Sequence, residues 1–85
     1  MIPRFERVAL TRDFAEHGLC RGDVATLVDR VPHPQQGEPG VVLEVFNALG
    51  ESIKTVAVPE SAVKPLQADE VLAIRSLAKV GRATA

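Results

Sequence analysis

Alternation of apolar and polar positions marks five short extended segments in this 85-residue chain. From Phe5 to Thr11, Val8 and Leu10 share one face and Arg7 and Ala9 the other. From Val24 to Val31, β-branched Val24, Thr26 and Val28 fall on one side, with Leu27 opposite, so this strand is expected to be covered on both faces for part of its length. From Val41 to Phe46, Val41, Leu43 and Val45 alternate with Val42, Glu44 and Phe46. Ser52 to Val58 is the fourth segment, and Val63 to Leu66, ended by its own Pro65, is the fifth.

The connections carry their own signals. Gly18 stops any helical turn opened by Asp13, and Leu19 follows as an apolar plug. Gly22 suits a sharp turn and Asp23 can hold its corner by hydrogen-bonding nearby backbone. Three prolines and two glycines between Pro32 and Gly40 predict an exposed, mobile hairpin loop. Asn47 to Glu51 predicts a tight turn in which Gly50 takes the unusual backbone angle. Pro59-Glu60-Ser61-Ala62 predicts one turn of 3₁₀-helix, because proline fits a first helical position. Five short strands with a one-turn helix before the last predict a mainly β fold, a small five-stranded SH3-like barrel over residues 1–66.

The pattern then changes period. Val71, Ile74, Leu77 and Ala78 follow helical spacing, Asp69 suits an N-cap, Glu70 suits the positive helix end, and Gly81 can stop the run. Residues 67–85 are therefore expected to form a short C-terminal α-helix of about a dozen residues, roughly 18 Å long. A helix that short is marginal alone, so its apolar stripe is expected to dock on the barrel or on another chain.

Composition narrows the chemistry. Ten basic against eleven acidic residues leave a net charge of −1, poor footing for a nucleic-acid binder. An RNA- or ribosome-associated barrel would need Arg4, Arg7, Arg12, Arg21 and Arg30 to cluster on one face. Trp and Tyr are missing and there are three Phe, so the aromatic lining of a proline-peptide groove or a base-stacking platform is lacking. The single Cys20 forms no internal disulfide, and no apolar run has signal-peptide or membrane-spanning length, so a cytoplasmic protein is expected. His17 and Cys20 lie three apart, but a structural zinc site wants four ligands and only His33 remains. Arg21 beside Cys20 could activate a thiol, yet a barrel this small rarely encloses a pocket with an oriented base. Asp13 and Glu16 read as solvated or turn-capping carboxylates. No enzyme, cofactor or metal site is expected.

One resemblance adds to this reading. Leu10-Thr11-Arg12-Asp13, Glu16-His17-Gly18-Leu19, Gly22-Asp23-Val24, Thr26 and Val28, with Val45-Phe46, Gly50, Val56 and Val63-Lys64-Pro65-Leu66, resemble a family of short bacterial proteins of unknown function with an SH3-like barrel. The resemblance implies a gene often set beside small toxin-like or otherwise uncharacterised genes. The resemblance thus implies a partner or neutraliser of a neighbouring enzyme, antitoxin- or immunity-like, rather than a catalyst. The Gly22-Asp23-Val24 start, with Thr26, also distantly resembles a strand–turn–strand motif that touches RNA, and an RNA-associated barrel is the alternative. The residues expected to bind a protein partner are Phe14, Glu16, His17 and Arg21 on the loop and Val71, Ile74 and Leu77 on the tail, which would also serve self-association. An exposed Phe14 suits an interface anchor, whereas a buried one belongs to the core.

Overall fold

A computed structural model describes residues 2–32 and 37–76. The strands are β1 (Arg7–Leu10), β2 (Val24–Val31), β3 (Gly40–Phe46), β4 (Ser52–Pro59) and β5 (Val63–Pro65). They form one antiparallel sheet in the order β4-β3-β2-β1-β5. Val8, Leu27, Val41 and Leu43 are fully buried, and one apolar cluster takes members from all five strands.

The sheet is open, which corrects the expected SH3-like barrel. Closure would need a ladder between the terminal strands, whereas β4 pairs with β3 and β5 with β1. β5 is three residues long and ends at Pro65, which has no N–H to extend the ladder. The two edges are joined covalently, through the single 3₁₀ turn Glu60–Ala62 behind Pro59.

Several boundaries have local causes. β1 starts at Arg7 rather than Phe5 because Phe5 takes φ 69° in a turn closed from the Glu6 N–H to the Pro3 carbonyl. That leaves the Phe5 ring exposed rather than over the strand end. On β2 the core face is Ala25 and Leu27, while Val24, Thr26 and Val28 are half-buried on the other side. The register slips between Leu27 and Asp29, so Val28 is the extra residue of a bulge. Beyond it Arg30, not Asp29, stands opposite buried Val41. Arg30 Nε donates to Glu60 Oε2 at 3.2 Å, tying β2 to the 3₁₀ turn. Glu38 accepts from the Ser61 N–H and hydroxyl and fastens the far side of the same turn. At the β3–β4 turn, Gly50 has φ 84° and Asn47 Oδ1 accepts from the Leu49 and Glu51 N–H groups.

The tail departs from expectation. No α-helix occurs among the described residues. After β5 the chain makes a turn closed from the Glu70 N–H to the Gln67 carbonyl, then runs through Val71–Ser76 without regular structure. Glu70 does not sit at a helix start; its carboxylate accepts from Lys64 Nζ and the Gln67 N–H. Leu77, Ala78 and Gly81 of the expected helix, and His33 of the Pro32–Gly40 connection, lie outside the described residues. No helix among the described residues is long and apolar enough to cross a membrane.

Candidate functional site

The site is built on the segment that joins β1 to β2. Thr11 leaves β1, Phe14 and Leu19 pair as an isolated bridge, and Ala15–His17 form one 3₁₀ turn between them. Phe14, not Asp13, occupies the cap position, and Asp13 Oδ1 instead accepts from the Arg21 N–H at 2.8 Å. Gly18 ends the turn in the left-handed region at φ 70°, where a side chain would be strained. Leu19 then drops into the core at 2% exposure.

The following corner is held reciprocally. The Asp23 N–H donates to the Cys20 carbonyl at 3.0 Å, and the Cys20 N–H donates to Asp23 Oδ2 at 2.8 Å. Gly22 supplies φ 91°, and its N–H donates to the Leu10 carbonyl. The Leu10 N–H in turn donates to the Asp23 carbonyl, so the corner is stitched to β1.

The tail crosses this corner. Arg75 Nε donates to Asp23 Oδ1 at 3.0 Å, and Arg75 Nη2 donates to Asp23 Oδ2 and, at 3.0 Å, to the Gly18 carbonyl. With Lys64–Glu70 at its start and Asp23–Arg75 at its end, the segment Glu70–Arg75 forms an arm clasped by two ion pairs. Between arm, corner and outer sheet face lies a groove of about 580 Å³. Its lining includes Ala9, Cys20, Arg21, Val24 and Lys64. The arm's apolar side chains stay largely in solvent: Val71 and Ile74 are each 92% exposed and Leu72 is 53%.

Charge follows this geometry. Partial burial pushes the Asp23 carboxyl up, but hydrogen bonds from Arg75 and the Cys20 N–H, with the Arg75 charge, outweigh it and hold the group below its ordinary value. The Arg75 guanidinium is raised chiefly by its hydrogen bond to Asp23. The Glu70 carboxyl is lowered by hydrogen bonds from Lys64 and the Gln67 N–H.

The residues expected to bind a partner are therefore split. Arg21, Val71 and Ile74 meet along the groove. Glu16 is exposed on the 3₁₀ turn and outside the groove. His17 is half-buried, its ring 6.2 Å from that of Phe14. Phe14 is buried at 8% exposure within the core cluster, with Arg12 over its ring, which removes it as an exposed anchor. Leu77 lies outside the described residues. No group of three or more His, Cys, Asp or Glu able to hold a metal occurs among the described residues. Sequence pattern marks Asp23 only as a corner residue and gives Arg75 no role. They stand 52 positions apart, and no local pattern joins them.

Residues 4–65 match the model of a domain of unknown function (DUF4926). The chain belongs to this family. The matched region takes in the whole sheet and the corner with Gly18 and Asp23, and it stops short of the arm. No curated protein and no solved structure matches the chain.

Proposed function

We propose that this DUF4926 protein is a non-enzymatic protein-interaction module, the partner or neutraliser of a neighbouring enzyme, antitoxin- or immunity-like in the sense the family resemblance implies. The observation that carries the reading is the arm. Val71 and Ile74, each 92% exposed, stand with Leu72 on a segment fastened to the sheet by ion pairs. Adjacent exposed aliphatic side chains on an anchored segment suit a protein contact. The titratable groups at the groove support binding rather than turnover. Asp23, Arg75, Lys64 and Glu70 are committed to one another, and carboxyls held below their ordinary range are poor proton carriers near neutral pH.

The arginines support a protein over an RNA partner. Arg30 is paired with Glu60 and Arg4 with Asp29. Arg7 stands opposite Thr26 on the outer sheet face, and Arg30 stands opposite Val41 on the core face. The test is capture of binding proteins from the native host with the tagged chain, eluted at low and high salt, for wild type and for Val71→Asp/Ile74→Asp. The expected result is one stoichiometric protein that survives high salt on wild type and is lost from the double variant. Ribosomal proteins or RNA released by salt, or a partner held equally by both chains, overturn the reading.

A further inference from the structure

The Asp23 corner holds a guanidinium, and the bonds that shape the corner come from Leu10, Cys20 and Gly22 as well as from Arg75. We propose that Asp23 and the Gly18 carbonyl form a receptor for an arginine on an extended segment of the partner protein, and that Arg75 is its intramolecular placeholder. The inference rests on the interaction-module reading above.

Three observations carry it. First, the recognition is forked: Nε and Nη2 of Arg75 meet both carboxylate oxygens of Asp23, and Nη2 also meets the Gly18 carbonyl. Planar two-point contact with a carboxylate selects guanidinium over the point charge of lysine. Second, bonds from outside the arm shape the receptor. Asp23 Oδ2 is held by the Cys20 N–H, the Cys20 carbonyl by the Asp23 N–H, the Gly22 N–H by the Leu10 carbonyl, and Gly18 by the end of the 3₁₀ turn. Third, little apolar burial holds the arm down. Val71 and Ile74 lie in solvent, the fastenings are ion pairs, and a groove of about 580 Å³ lies between the arm and the sheet.

The arm competes with any partner at an effective concentration on the order of millimolar. A displacing segment must therefore add contacts to its arginine. Ala9 and Val24, paired across β1 and β2 on the groove floor, supply apolar ones. The fitting occupant is an extended segment whose arginine meets Asp23 and whose aliphatic residues, unlike the arm's exposed Val71 and Ile74, reach Ala9 and Val24.

The test uses full-length chains and a blocked peptide spanning Glu70–Ser76 as probe, with binding followed by chemical-shift changes and calorimetry. The Arg75→Ala chain is expected to bind the peptide roughly tenfold or more tightly than wild type, whose own arm competes. The peptide carrying Arg75→Ala is expected not to bind, nor the intact peptide to the Asp23→Asn/Arg75→Ala chain. If Arg75→Ala lowers stability, the peptide is expected to raise its Tm and leave that of the double variant unchanged. The Arg75→Lys chain, which keeps the charge and loses the fork, is expected to bind more tightly than wild type. Equal binding to wild type and Arg75→Ala, binding that survives Asp23→Asn, or no binding to either Arg75 variant overturns the proposal. Peptide failure alongside a captured partner that Val71→Asp/Ile74→Asp loses overturns this inference alone. Peptide binding without any captured partner overturns the module reading alone.

Discussion

Val8, Leu10, Val41 and Leu43 on the sheet and Val71, Leu72 and Ile74 on the arm are aliphatic side chains of similar size that meet opposite fates. The first four are at most 1% exposed; of the arm residues, the least exposed is at 53%. The sheet is held by apolar burial, which depends little on salt or proton concentration. The arm is held by charge pairs, which salt screens and acid removes. One molecule thus joins a core insensitive to ionic conditions to a segment that responds to them. A segment of the second kind can exchange for another chain without unfolding the first.

The largest expected effects lie in the core. Phe14→Ala should lower unfolding free energy by about 3–5 kcal/mol and Leu43→Ala by about 2–5 kcal/mol, measured by denaturant titration. A Phe14→Ala chain as stable as wild type would return that ring to the surface and blur the line between the regions.

Acid should separate the two regions next. Carboxyls whose folded pKa is depressed stabilise the native arrangement fully above their unfolded values, and that contribution is lost as pH falls through the lowered values. The ordinary values are 3.8 for Asp23 and 4.5 for Glu70, and both are lowered in the fold. Below about pH 4, amide signals of Glu70–Ser76 should therefore shift while those of β1 to β3 remain native. Glu38, lowered by its bonds from Ser61, should release Ser61 as pH falls through its own lowered value. An arm that moves only with global unfolding would make it part of the core's cooperative unit.

The smallest effect is expected at the exposed arm positions. Ile74→Ser should change stability by no more than about 0.5 kcal/mol in thermal melts, because the side chain gives up almost nothing to solvent that it does not already face. A larger loss would mean that Ile74 is covered in solution, and the contrast between the regions would narrow.

Much of the sheet was legible from local chemistry. Period-two alternation locates Val41, Leu43 and Val45 on the core face, Pro59 announces its 3₁₀ turn, and Gly18, Gly22 and Gly50 take positive φ at their turns. Leu19 was readable as a core plug because an aliphatic residue after a left-handed glycine has few other places to go. The candidate site was legible only in part. The Asp23 corner follows from Gly22-Asp23, whereas its ligand does not.

The sequence by itself determined where the chain extends and where it turns, since both depend on interactions between near neighbours. Tertiary structure alone decided the rest. Both faces of β2 carry apolar residues, so the partner strands and the Val28 bulge selected Ala25 and Leu27 for the core and turned Arg30 toward Glu60. Closure was decided by β5, whose three residues pair with β1 and leave β4 as a free edge. The tail's helical spacing is a weak local preference in a short segment. Over the described residues 67–76 the chain instead follows the clasps Lys64–Glu70 and Asp23–Arg75, the second of which exists only once β1 and β2 have placed the corner in the path of the arm.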